Sequence, residues 1–197
     1  MAGPPLGLLL FLLLRCRVDP PSASPGATPP CSTPLTTHTA AGYQPEQARG
    51  GLPVRLKIPA IKVNAVIEHL GLTAKGAMDA PKGPLDVAWF NLGPRPGEKG
   101  SAVIAGHRSW LLNGQVAVFD KLSRLRQGDK LYIETDIGQS VSFVVRETRL
   151  YDPEADASEV FLSDNGRHLN LIASAGVWNE SKSSATKRLV VFTDLSN

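Results

Sequence analysis

The sequence has only two cysteines, Cys16 and Cys31, and both lie close to the start of the chain. A thiol nucleophile, a disulfide or a cysteine-ligated metal site is therefore excluded from everything that follows. Histidine is also scarce, with His38, His69, His107 and His168 as the only four. No two of them have the i, i+4 spacing of a helical zinc site, so we predict neither a metal ion nor another cofactor.

Charge of one sign is not concentrated anywhere in the chain. The net charge is only +3, and no block of five or more lysines or arginines occurs. A nucleic-acid-binding surface is normally more basic and more clustered, so we predict no nucleic-acid partner. A hydrophobic content of 42% and a charged content of 20% indicate a folded core. The length of 197 residues favours one domain with extensions.

The sequence also lacks an apolar run long enough to span a bilayer, which requires about 20 residues. The run LGLLLFLLL, from Leu6 to Leu14, has instead the length of the hydrophobic core of a secretory signal. No basic residue precedes it, but Arg15 and Arg17 follow it. We predict a signal-like leader over residues 1–18. The leader would place the folded part outside the cytoplasm and close to the membrane.

Residues 19–52 are rich in proline, serine, threonine and alanine. Ten of the sixteen prolines of the chain fall at or before Pro53. Such a segment has too little apolar bulk to offset the entropy lost on ordering, so it is typical of an extended linker. The sequence thus predicts a linker over 19–52 and a folded domain over 53–197.

The folded domain is dominated by short segments with strand character. These segments are VRLKI (54–58), NAVIEHL (64–70), SAVIAGH (101–107), DKLYIET (129–135), SVSFVVRETRLY (140–151), HLNLIAS (168–174) and RLVVFTDL (188–195). DIGQ between two of them indicates a hairpin, and SAVIAGH indicates a strand buried on both faces. VAVFDKLSRL (116–125) predicts a helix, because Val118, Leu122 and Leu125 share one face. The pattern predicts a mainly β domain, a closed barrel or a sandwich, with one or two short helices.

Three polar residues lie at strand ends, and these are the candidates for chemistry. His107 has the side chain of a general acid or base, and Arg188 has donors suited to an oxyanion. Ser174 becomes a nucleophile only if a base activates it. Each also has an ordinary structural interpretation: a hydrogen-bonded histidine, a small residue in a bend and a solvated edge arginine. A serine triad further needs an orienting carboxylate, for which Asp120 and Asp129 are available without being placed by the sequence.

The order of several motifs resembles that of a sortase over nearly all of residues 54–195. The most specific motifs are IPAIKV (58–63), WFNLGPRPGEKGSAVIAGHR (89–108) and LSRLRQGD (122–129), followed by LNLIASAGVW and KRLVVFTDL. The likeness is greatest to class F-type sortases of Gram-positive envelopes. It implies a closed eight-stranded β-barrel and a transpeptidase that cleaves a C-terminal sorting-motif peptide. The acyl group would pass through a cysteine to an amine acceptor of the cell wall.

The resemblance also implies roles for individual residues. His107 matches the family histidine and Arg188 matches the family arginine, whereas Ser174 falls on the position of the cysteine. The family motif T-L-x-T-C reads N-L-I-A-S here, so Asn170 and Ala173 also depart from it. Two hypotheses follow: an active transpeptidase or peptidase with Ser174 as nucleophile, or a sortase-fold module that binds a peptide without cleaving it. In either case Trp110, Trp178 and Ala173 are candidate walls of a substrate groove.

Overall fold

A computed structural model describes residues 50–196 apart from positions 75, 110, 113, 153, 154, 164 and 180–183. The predicted leader and nearly all of the predicted linker lie outside these residues. The strands are β1 (Pro53–Ile58), β2 (Val63–Leu70), β3 (Val87–Phe90), β4 (Gly100–Gly106), β5 (Leu111–Leu112), β6 (Gln115–Val116), β7 (Lys130–Thr135), β8 (Ser140–Tyr151), β9 (Arg167–Asn179) and β10 (Ser184–Leu195). One short helix, α1 (Ser158–Phe161), and two 3-10 turns, Pro59–Ile61 and Leu122–Arg124, complete the described elements. None of the described helices has the length and apolarity needed to cross a membrane.

Eight of the strands form a closed barrel in the order β1-β2-β3-β4-β9-β10-β8-β7, and β1 closes the ring by pairing with β7. The pairs β2–β3 and β4–β9 are parallel, and the other neighbours are antiparallel. β5 and β6 form a separate two-stranded ribbon. Among the described residues, each of the eight barrel strands therefore has a paired neighbour on both sides. The predicted mainly β, closed eight-stranded fold is confirmed.

The barrel wall has an apolar cluster on each of its two faces. Along β9, Leu171 and Ala173 point into the inner cluster, while Ile172 points into an outer cluster that includes Val160 of α1. This alternation is the period of two that a strand imposes on its side chains. Every residue of β4 is buried, because that strand is covered on both faces as its continuous apolar run predicts.

The predicted helix over 116–125 is wrong, since this segment contains the end of β6 at Val116 and the 3-10 turn Leu122–Arg124 instead of an α-helix. The backbone N–H of Val118 donates to the carbonyl of Pro84, and that of Phe119 donates to the carbonyl of His107. In an α-helix these N–H groups would donate to carbonyls four residues earlier, but here they donate to carbonyls of distant segments. The apolar spacing reflects burial against the inner cluster.

Candidate active site

His107, Ser174 and Arg188 lie on or directly after three neighbouring strands, β4, β9 and β10, and are here called the row. Arg188 of β10 is the direct partner of Ser174 of β9. The parallel register of β4 and β9 ends at the pair Ala105–Ile172, so His107 and Ser174 each lie two residues beyond the last paired residue of their segment. Neighbouring strands lie about 4.8 Å apart. The structure thus pairs Ser174 with Arg188 and places His107 just beyond the end of the strand that neighbours β9.

The side chains of Ser174 and Arg188 belong to the outer face of the barrel wall. Ile172 and Val190, two residues before Ser174 and two after Arg188, both lie in the outer apolar cluster. Because side chains alternate along a strand, Ser174 and Arg188 share that face. Ala173 points the opposite way into the inner cluster and is wholly buried. Its methyl group therefore does not line a groove on the outer face.

His107 is held at the end of β4 by burial and by one main-chain hydrogen bond. It is 2% exposed, and its Nε2 lies 2.7 Å from the carbonyl oxygen of Pro81. A carbonyl only accepts, so Nε2 carries the hydrogen, and in the neutral ring the lone pair is on Nδ1. Burial lowers the pKa of His107 below its ordinary value, although the Pro81 hydrogen bond and the charge of Glu68 oppose this shift. The imidazole is therefore neutral at pH 7.

Gly106 sets the backbone position of His107 by allowing a close approach. A Cβ atom added at Gly106 would lie only 2.4 Å from a ring carbon of Phe119. Phe119 is completely buried, and its N–H donates to the carbonyl of His107. The absence of a side chain at 106 therefore lets this ring pack directly against the strand that presents the histidine.

Arg188 places a buried cation next to Ser174. It is 4% exposed, and its Nη1 donates to the carbonyl of Lys187 at 3.1 Å. Burial lowers the pKa of Arg188, but a guanidinium stays charged in proteins. Tyr151 of β8 is its partner on the other side, and the Tyr151 hydroxyl donates to Glu159 of the short helix at 2.5 Å. Because the cation is fixed and poorly solvated, it stabilises negative charge that develops close to it.

Ser174 is the member of the row that solvent reaches most easily, since it is half-buried between the buried Ala173 and Ala175. Two residues later, Gly176 has a φ of 78°, and a Cβ there would lie 2.3 Å from Thr186 Oγ1. The register of β9 and β10 shifts between Ala185 and Lys187, opposite this glycine. The irregularity begins after the pair Lys187–Ala175, so Ser174 is still regularly paired and lies one residue before it.

Other candidates from the sequence are not part of this row. Trp110 lies outside the described residues, and the described part of Trp178 is only its place in β9. Asp129 uses a carboxylate oxygen to accept from Arg126 N–H in the turn before β7. The hydrogen-bond acceptor at Nε2 of His107 is the carbonyl of Pro81, not a carboxylate. The sequence did not predict this acceptor, because every residue has a backbone carbonyl and none is marked by its residue type.

Comparison with known proteins identifies the family. The model of the sortase domain matches residues 56–196. The chain belongs to the sortase family. Sortases are transpeptidases, and this chain shares their closed-barrel domain. A search of curated proteins found no significant match.

Solved sortases have the same fold at low sequence identity. Sortase C-1 from Actinomyces oris is 23% identical with a TM-score of 0.57, over 74% of this chain and 75% of that one. Sortase A from Corynebacterium diphtheriae is 22% identical with a TM-score of 0.57, over 74% and 61%. Sortase C1 from Streptococcus agalactiae, in a complex with MTSET, is 20% identical with a TM-score of 0.58, over 73% and 66%. The chain thus spans less than two thirds of the length of the last two.

Proposed function

We propose that this sortase is a class F-type transpeptidase or peptidase that uses Ser174 where its relatives use cysteine. Its substrate would be a C-terminal sorting-motif peptide of a surface protein, and its acceptor an amine of the cell wall or water. The observation that supports the proposal is the pairing of Ser174 with Arg188, together with the position of His107 directly after the neighbouring strand β4. Of the three, the serine is partly exposed, and the two assisting groups are buried.

The reaction in this proposal is acyl transfer through an ester. Ser174 Oγ attacks the scissile carbonyl carbon while its proton passes to Nδ1 of His107, and Arg188 stabilises the oxyanion. The intermediate collapses by breaking the C–N bond, and the imidazolium returns the proton to the leaving amine. An incoming amine or water then loses its proton to His107 and attacks the ester carbonyl, and the imidazolium returns that proton to Ser174 Oγ as the ester C–O bond breaks. Atoms and charge balance without any cofactor.

The protonation state of His107 supports this role for a serine. A thiol with a pKa near 8.5 forms its thiolate readily, whereas a hydroxyl needs a base to take its proton during attack. A base must be neutral at the start of the reaction, and burial lowers the pKa of His107 in that direction. A neutral His107 is the state that a serine nucleophile at position 174 would require.

A second candidate function is a peptide-binding module without turnover, and the altered strand β9 favours it. Three motif positions differ at once, at Asn170, Ala173 and Ser174. Asn170 is 1% exposed, and its amide donates to the carbonyl of Val160 at 2.7 Å, so this substitution attaches α1 to the barrel wall. A strand rebuilt for structural contacts is compatible with a site that holds a peptide and no longer cleaves it.

Residues outside the described part complete the proposal. A leader over 1–18 and a linker over 19–52 would hold the barrel at the cell envelope, close to its substrates. Trp110 and Trp178 follow His107 and Ser174 by three and four positions. We propose them as walls of the peptide groove, because amphipathic rings suit an extended peptide with both apolar and polar parts.

The test is a turnover assay with the full chain, a library of sorting-motif peptides and an amine acceptor. Product would be read by mass spectrometry for the native chain, Ser174→Ala and Ser174→Cys. We expect product from the native chain and a loss of about 10³-fold or more for Ser174→Ala. Ser142→Ala, at a half-buried serine of β8, is the matched control and should be unaffected. Turnover by Ser174→Cys alone would favour the binding module.

A further inference from the structure

A single peptide group connects His107 to a carboxylate on another strand. The carbonyl of Pro81 accepts the hydrogen bond from His107 Nε2 at 2.7 Å. The N–H of Lys82 donates to Oε1 of Glu68 on β2 at 3.1 Å. This C=O and this N–H belong to the same peptide unit, which therefore lies between the imidazole and the carboxylate.

Such an arrangement couples the carboxylate to the imidazole through the peptide. A negative charge at the N–H end polarises the group and makes its carbonyl oxygen a stronger acceptor. A stronger acceptor holds the ring hydrogen on Nε2 more firmly and stabilises the imidazolium when Nδ1 takes a proton. Carboxylates act on histidines in this way when they contact the ring directly. Here the peptide stands between the two side chains.

We propose that Glu68 is a positioning residue for His107 and acts through the Pro81–Lys82 peptide group. It fixes the Nε2–H tautomer, which leaves Nδ1 to exchange the proton, and it supplies the negative charge that a triad carboxylate would supply. This inference rests on the proposed acid–base role of His107. It assigns a function to a residue of β2 that belongs to none of the motifs from which the site was predicted.

Several charged residues surround His107, and they define the controls. The segments bonded or adjacent to it carry Glu68, Lys82, Asp86, Arg108 and Asp120, and Arg188 lies on β10, two strands away from β4. The charge of Glu68 raises the pKa of His107 against the larger effect of burial. Asp86 lies opposite His107 when the β3–β4 register is extended by one pair. It is therefore a carboxylate close to His107 in the fold that is not the acceptor of the Lys82 N–H, which bonds to Glu68. Both Glu68→Gln and Asp86→Asn remove one negative charge near His107, but only Glu68 is hydrogen-bonded to the peptide group. Comparing the two variants therefore distinguishes an effect through the peptide from a simple loss of negative charge.

The experiment is NMR of the full chain with isotope-labelled histidine, in which His107→Gln assigns the ring signals. We expect the native chain to show hydrogen on Nε2 of His107. Glu68→Gln keeps an acceptor for the Lys82 N–H but loses the charge, so the pKa of His107 should fall further while the tautomer persists. Glu68→Leu removes both and should give a mixture of tautomers. Asp86→Asn should leave the tautomer and the pKa of His107 unchanged.

Acyl transfer supplies a second readout. Glu68→Leu should lower kcat/KM roughly 10- to 100-fold, mostly in kcat, and Glu68→Gln should recover part of it. The NMR result needs no turnover, so it decides this inference even if the chain proves to be a binding module. Hydrogen on Nδ1 in the native chain, or an equal fall of the pKa in Glu68→Gln and Asp86→Asn, would overturn the proposal. An unchanged pKa in Glu68→Gln would overturn it as well.

Discussion

At the scale of single residues, the burial of His107 makes the stability of the fold depend on pH in a definite direction. Its pKa is lower in the folded chain than its ordinary value of 6.5. As the pH falls below 6.5, the unfolded chain binds this proton first, so the free energy of unfolding decreases. The decrease ends below the folded pKa, where both states are protonated.

We therefore expect the free energy of unfolding of the native chain minus that of His107→Gln to fall as the pH is lowered from 6.5. Above pH 6.5 the difference should be constant. Denaturant titrations of both chains at a series of pH values measure it, and the subtraction removes the contributions of the carboxylates. A difference that grows on acidification would mean that the folded chain prefers the imidazolium, contrary to this account.

The chemistry of these residues was more predictable than their contacts. His107, Ser174 and Arg188 were identified from strand ends and from the family motifs, without knowledge of their pairing. The pairing depends on β4 and β9, which are far apart in sequence and run parallel, and no local pattern encodes that register. The contact of His107 with the Pro81 carbonyl was unpredictable for a similar reason, since any backbone oxygen presents the same acceptor.

At the scale of elements, the end of β4 depends on the packing of Phe119 against a glycine. Gly106→Ala should destabilise the fold by about 1–3 kcal/mol, because the new methyl group requires the buried ring or the strand to move. The same movement displaces the neighbouring His107, so acyl transfer should fall as well. Gly50→Ala, with no atom within 4 Å of the added Cβ, is the matched control. Equal stability of the two variants in denaturant titrations would contradict the packing described here.

Elements were predicted well where the apolar pattern had a single interpretation. β4 and β8 were located from an apolar run and from a hairpin signal, and their observed bounds agree closely. The segment 116–125 was misassigned, because helical spacing and burial of an irregular segment give the same apolar pattern. Its backbone donors bond to Pro84 and His107, and such long-range partners are invisible to a local pattern.

At the scale of the whole molecule, the eight barrel strands that the structure describes all lie between Pro53 and Leu195. Arg95 donates to the carbonyl of Gly50 at 2.5 Å, and Leu52 N–H donates to Asp136 at 2.8 Å, so the described fold includes these positions. We expect the chain from residue 50 onward to unfold cooperatively, with a stability within about 0.5 kcal/mol of the full chain. Urea titrations compare the two.

A second truncation, which removes residues 1–58, tests whether the closed ring of strands is needed for folding. This truncation deletes β1, which pairs with both β2 and β7, and so opens the ring and exposes two strand edges. We expect it to abolish the cooperative transition. A shorter chain that still unfolds cooperatively, or a chain from residue 50 that does not, would show that the domain limits differ from those proposed.

The central claim is that Ser174 carries the acyl group. Mass spectrometry of an acid-quenched reaction, followed by peptide mapping, tests it most directly. The full chain would be mixed with the best peptide of the library, quenched, digested and mapped, with Ser174→Ala in parallel. The account predicts an acyl adduct on Ser174 that hydroxylamine removes, as expected of an ester, and no adduct in Ser174→Ala. Cleaved peptide from Ser174→Ala at the native rate, or an adduct on another residue, would contradict the account.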